Sequence, residues 1–230
     1  RQIISRKHVI PDMQRPYEWS VETRGKHVKI LWDSFLEFHL DDIKHEDVYY
    51  TGTMICYPDG KNYSVIDGQQ RLTSISVLFF AIRDLIDEST LNSEAVIRVT
   101  GLVPEVKIGK LAKHISKIAL GTPKNPHLKP KEGTRNTLAY QWLLHPLGER
   151  PLATHGVGNP RANFKINQAY RFFKRELIKE FYLEEVSDFQ QMMIFADHLL
   201  DGVVFNLTTV KDMAQGYRIF SSENTTGLNL

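Results

Sequence analysis

Apolar residues recur along this chain with two distinct periods. Val28, Leu31, Trp32, Phe35 and Leu36 return every three or four positions, which predicts a helix with one buried face, capped by Ser20 and ending near residue 40. Tyr49 to Tyr57 reads as a strand, Pro58 to Asn62 as a turn and Tyr63 to Ile66 as the returning strand. Leu72, Ile75, Leu78, Phe79, Ile82 and Ile86 then mark a long helix. Residues 1–9 read as an edge strand and Val96 to Val99 as another short strand. Val106 to Leu120 has the pattern of an amphipathic helix, with Ile108, Leu111, Ala112, Ile115 and Ile118 on one side. Stretches 121–134 and 145–162 are rich in Pro and Gly and read as loops. Two long helices follow, about Asn163 to Phe181 and Glu184 to Leu200, then a strand over Val203 to Leu207 and a helix over Asp212 to Phe220. The buried face of the first carries Ile166, Ala169, Tyr170, Phe173 and Leu177.

This order predicts an α+β fold, a mixed-sheet core with a helical C-terminal portion. The second Pro/Gly-rich stretch is a candidate boundary. Residues 1–145 are expected to form the α/β core, and residues 146–230 a helical extension completing the same unit.

Composition narrows the possibilities only slightly. The chain has 230 residues, 42% hydrophobic and 24% charged, which is ordinary for a globular protein. A net charge of +2 predicts nucleic-acid binding only where the charge is clustered. The single cysteine, Cys56, rules out an internal disulfide and sits in an apolar run, as a small core residue does. The longest apolar run, Val77 to Ile82, is too short to span a membrane, and no signal-peptide pattern occurs at Arg1, so a cytoplasmic location is expected. The chain starts without Met and stops at the end of a motif, as expected of a segment of a longer protein. The nine histidines show no metal-ligand spacing and no G-x-S-x-G occurs, so hydrolysis here would require a metal and an activated water.

The densest chemistry lies in Val65-Ile66-Asp67-Gly68-Gln69-Gln70-Arg71-Leu72-Thr73, the junction between a strand and a helix. Gly68 permits a positive φ or a close backbone approach. Gln69, Gln70 and Arg71 fall in the first helical turn, where free N–H groups and the helix dipole favour an anion, and Arg71 adds a fork of donors suited to phosphate. A carboxylate at Asp67 repels an anion but suits Mg²⁺ or an oriented water. The same string also reads as an ordinary Asp-Gly turn followed by good helix formers. Arg15, Tyr17 and Trp19 place a charge between two aromatics on the loop from Pro11 to Trp19; they fit stacking and phosphate contacts, or simply anchor that loop. Lys107, Lys110, Lys113 and Lys117 share one helix side, continued by Lys124, Lys129, Lys131 and Arg135; such a face suits DNA phosphates, or is merely solvated. Asn224-Thr225-Thr226-Gly227 reads as a sharp polar turn that supplies donors to a nucleotide or ends a helix.

Three strings resemble one family. Ile66-Asp67-Gly68-Gln69-Gln70-Arg71-Leu72-Thr73-Ser74 is similar to the DGQQR signature of the GmrSD-type N-terminal domain, a ParB/sulfiredoxin-like family of modification-dependent restriction and anti-phage proteins. Ile10 to Trp19 resembles its IPxxQRxYxW motif, and Ile219 to Leu230 its FxxxNxxGxxL motif, with Thr225-Thr226 where the family often carries a charge before Gly227. Asn167, Tyr170 and Arg171 resemble, less specifically, a family N-x-x-Y pattern. The resemblance implies binding and hydrolysis of GTP, UTP or CTP more than ATP, with Mg²⁺ held by Asp67. Asp67, Gln69, Gln70 and Arg71 would be the catalytic set. Gly68, Gln14, Arg15 and Asn224 would bind the nucleotide, and Tyr17, Lys107, Lys110, Lys113 and Lys117 the DNA. It further implies modified double-stranded DNA, glucosylated or phosphorothioate, as a partner, and an HNH-type nuclease beyond Leu230 or on another chain. Two alternatives are a modified-DNA-binding module without turnover, and a ParB-like nuclease in which Asp12 approaches Asp67.

Overall fold

The computed structural model describes residues 7–22, 26–41, 48–91, 115–152, 164–181 and 186–226. Its organising unit is a hairpin of β2 (Tyr49–Asp59) and β3 (Asn62–Asp67), antiparallel with Asp59 opposite Asn62. The strands turn at Gly60, whose φ of 59° suits glycine. Beside β3 runs β1 (His8–Val9), parallel to it, and beyond β1 lies β6 (Leu128–Lys129), also parallel. On the far side β7 (Val203–Thr209) pairs in parallel with β2, so the order is β6-β1-β3-β2-β7. The fold is α+β with a mixed sheet, as the alternation of periods implied. The segment at His8–Val9 is not at the edge, as expected, but inside the sheet, because β6 emerges from a stretch read as loop. Gly121–Thr122 (β4) and Asn125–Pro126 (β5) form a separate small ladder in that same stretch.

One helix is buried along most of its length. It is α2 (Gln69–Leu91), and every residue from Leu72 to Ile86 is buried. Such a helix has no solvent face for its polar residues, so they bond inward. The hydroxyls of Thr73, Ser74 and Ser76 donate to the carbonyls four residues back, at 2.8, 2.9 and 3.0 Å. Around α2 stand α3 (Arg135–Leu144), α4 (Lys165–Phe181) and α5 (Val186–Gly202), with α4 its most extensive neighbour, while α1 (His27–Asp41) packs against α5. Residues from all five helices join one core with Met54, Cys56 and Val65 of the hairpin. The opposite face of the sheet holds a smaller cluster, Ile55, Ile66 and Val210, covered by Ile219 and Phe220 of α6 (Met213–Thr226).

Several expected boundaries move. Ser20 does not cap α1; the helix starts at His27, and the Ser20 carbonyl accepts from Val28 N at 3.2 Å. Helix α3 falls where no element was expected, with Thr134 as its N-cap, accepting from Thr137 N at 3.0 Å. The strand expected at Val96–Val99 and most of the Val106–Leu120 helix lie outside the described residues. Its last turn, Ser116–Leu120, is π-helical.

Among the described residues, an ion pair is buried on α2. Arg83 and Asp84 lie on α2, 2% and 0% exposed. Arg83 donates to the carbonyls of Leu143, Leu144 and His145 at 2.7, 3.2 and 3.0 Å, taking up the free end of α3. Asp84 accepts from Arg83 at 2.8 Å, from the Tyr170 hydroxyl of α4 at 2.6 Å, and from Arg150. Burial, reinforced by the Asp84 charge, pushes the Tyr170 hydroxyl well above the usual phenol range. This network ties α2, α3 and α4 together, which is what the N-x-x-Y tyrosine does here.

Candidate functional site

The site is built at the sheet edge where β1 and β3, running parallel, both end. β3 delivers Asp67 there, and Gly68 makes the turn into α2 with φ of 87°. A Cβ on Gly68 would meet the Met54 backbone at 3.3 Å, so glycine also allows the turn to pass close over β2. The loop after β1 arrives beside this turn.

That loop is held by the two glutamines of the signature. Gln70, 6% exposed, donates to the Pro16 carbonyl at 3.0 Å and accepts from Glu18 N at 2.8 Å. Gln69, 5% exposed, donates to Gln14 Oε1 at 3.0 Å. Gln14 in turn donates to the Ile66 carbonyl at 2.8 Å. Lys131 and Asn136, from the β6–α3 region, fasten the same loop by donating to the carbonyls of Gln14 and Tyr17 at 2.9 and 3.0 Å. The Tyr17 ring is buried and its hydroxyl is bonded to Ser74 Oγ at 2.8 Å; burial pushes that phenol upward from its ordinary value. Tyr17, expected among the DNA contacts, is therefore an anchor inside the fold. Trp19 stacks on His27 with ring centroids 5.4 Å apart. Between loop and helices a cavity of about 20 Å³, lined in part by Tyr17, Gln70, Lys131 and Asn136, has room for about one water. A larger ligand has to sit outside it, on the edge.

Arg15 is exposed on the loop, as are Asp12, Met13 and Glu18; it lies 3.8 Å from Glu18 with two thirds of its side chain in solvent. Arg71 faces the other way, toward β2. Its guanidinium lies over Gly52, at a break in the β2–β7 register, where an added Cβ would stand 2.7 Å from Nη1 and 3.0 Å from Cζ. Gly52 has φ of 103°, a backbone shape glycine adopts without strain. Half-burial lowers the Arg71 pKa, and the charges of Asp67 and then Tyr49 oppose that shift. A guanidinium never loses its proton under ordinary conditions, so the result is a fixed, partly desolvated cation beside a carboxylate.

Of the other expected residues, Lys117 is exposed, while Lys107, Lys110 and Lys113 lie outside the described residues. Asn224 is not in a turn: α6 continues through Thr226, because nothing before Gly227 breaks it, and the Asn224 backbone is helical. Sequence reasoning passed over Gly52, Asn136 and Tyr217, and read Lys131 only as part of a basic face, whereas its ammonium donates to the Gln14 carbonyl. Gly52 had a signal, being an isolated glycine in a strand, the mark of a bulge or a close approach. The Arg83-Asp84 pair in an otherwise apolar helical run was a second overlooked signal.

These positions can be set beside known proteins. Residues 1–230 match the family described as the GmrSD restriction endonuclease, N-terminal domain. The chain belongs to this family. The match covers all three motifs quoted above and places the chain in a restriction endonuclease system, whose target is DNA. No curated protein compared with the chain matches it. Among the described residues no helix is long and apolar enough to cross a membrane.

Proposed function

We propose that this GmrSD N-terminal domain binds and hydrolyses a nucleoside triphosphate, and that it couples recognition of modified DNA to a nuclease. The observation that carries the reading is the seat of Arg71: a half-buried guanidinium held over Gly52, next to Asp67 and to the first turn of α2. Free N–H groups of that turn and the Arg71 fork suit phosphate oxygens, and the Gly68 turn lets a phosphate approach the backbone. Arg71 would neutralise charge that develops on the transferred phosphoryl group. Arg15 would reach the ligand from the loop. Gln69 and Gln70 would act by holding that loop, since each amide is engaged with it.

Among the described residues no three His, Cys, Asp or Glu side chains gather as a metal cage. Asp67 fits Mg²⁺ in the other usual manner, one carboxylate shared with phosphate oxygens. The ion would supply charge neutralisation at the phosphates.

The exposed Arg15 and Lys117 also suit a second reading, a modified-DNA-binding module without turnover. Phosphate release with GTP, UTP, CTP and ATP in Mg²⁺, with and without glucosylated or phosphorothioate DNA, separates the two. Release that disappears in Arg71→Ala is the expected result. No release under any condition, with tight binding of modified DNA intact, leaves the second reading.

A further inference from the structure

Gln14 has no proton to spare for a ligand. Its Nε2 donates to the Ile66 carbonyl at 2.8 Å and, more loosely, to the Tyr217 hydroxyl at 3.4 Å, while its Oε1 accepts from Gln69 at 3.0 Å. Both amide hydrogens are used, and the residue is 9% exposed. What this arrangement fixes is Tyr217. Its hydroxyl accepts from Gln14, so its own proton is left over and has no other partner among the described residues.

Helix α6, which carries Tyr217, packs on β2 and β3. Gly216 lies so close to the sheet that a Cβ would meet Ile66 Cδ1 at 2.0 Å. The Ile66 carbonyl carbon is bonded to the Asp67 nitrogen, so the Tyr217 hydroxyl, sharing Gln14 Nε2 with that carbonyl, stands beside the Asp67-Gly68 turn. Tyr217 is 36% exposed. A phenol whose acceptor capacity is engaged and whose proton is outstanding recognises a group that only accepts, and phosphate oxygens are such a group.

We propose that Tyr217 is a ligand-contacting residue of this site, donating its hydroxyl proton to a phosphate oxygen of the bound nucleotide, and that Gln69 and Gln14 are the positioning residues that aim it. This rests on the nucleotide reading above.

Calorimetric titration of the 230-residue chain with GTP, and separately with inorganic pyrophosphate, both in Mg²⁺, tests it in wild type, Tyr217→Phe and Arg71→Ala. Tyr217→Phe is expected to weaken both probes by about tenfold or more, since hydrogen bonds to charged groups contribute about 1.5–3 kcal/mol. Its melting temperature should stay at the wild-type value, because the missing hydroxyl lies at the surface. Wild-type affinity for both probes in Tyr217→Phe, with binding lost in Arg71→Ala, overturns the proposal and leaves the nucleotide reading standing. Weakening for GTP but not pyrophosphate moves the contact off the phosphates and also overturns it. Failure of the wild-type chain to bind either probe overturns the nucleotide reading, and this inference with it.

Discussion

Gly52→Ala tests the seat of Arg71 without touching Arg71 itself. The new methyl would lie 2.7 Å from Nη1 and 3.0 Å from Cζ, closer than such atoms approach, so the guanidinium has to leave. The backbone at φ of 103° resists a side chain as well. The two effects separate by size and by assay. Moving the end of a flexible side chain costs little, so the stability loss is the backbone strain, about 1–3 kcal/mol for a non-glycine residue held in such a region. In a chain of this length each kcal/mol lowers the melting temperature by roughly 2–4 °C. Affinity changes for a different reason. An arginine–phosphate hydrogen bond is worth about 1.5–3 kcal/mol, so its loss weakens binding roughly 10- to 150-fold. Titration with Mg²⁺ and GTP at a temperature where both proteins are folded reads this directly. The double variant Gly52→Ala with Arg71→Ala should bind no more weakly than Arg71→Ala alone, since the methyl then has nothing to displace. A Gly52→Ala protein that melts lower but binds with wild-type affinity would refute the claim that this seat presents Arg71 to the ligand. Additive losses in the double variant would refute it too.

Other outcomes follow from the same contacts. Gln70→Leu removes the bonds to Pro16 and Glu18 and should cost about 1–3 kcal/mol; hydrogen exchange should rise in residues 11–19 and little elsewhere. Asp84→Ala strands Arg83 and Arg150 in the interior and should cost about 3–5 kcal/mol in denaturant unfolding, whereas Tyr170→Phe, losing a single bond, should cost about 1–2 kcal/mol. Burial pushes the Cys56 thiol up to about 12, so at pH 8 a thiol reagent should label the native chain very slowly and the denatured chain at once. Labelling at equal rates would place Cys56 outside the core.

Local pattern alone determined much of this protein. The β2–β3 hairpin, the Asp67-Gly68 junction and the buried faces of α2 and α4 all follow from spacing, because a helix or strand buries one face and writes that period into the chain. The three family motifs are equally local. Tertiary structure decided everything that depends on a distant partner. A two-residue strand at His8–Val9 has no period of its own; parallel pairing with β3 and β6 put it inside the sheet. Gln69 and Gln70 suit a first helical turn wherever their amides point, and only the approach of the loop after β1 gave those amides their partners. Tyr17 could face either way until Ser74 took its hydroxyl. Arg71 was visible as a cation, but its seat needed Gly52, which lies on a neighbouring strand and comes near only through hairpin pairing and a register break. Tyr217 entered the site through the close packing of Gly216 on Ile66. Side-chain hydrogen bonds are short-ranged and directional, so sequence can name the donors, whereas only the packed fold can say what each one reaches.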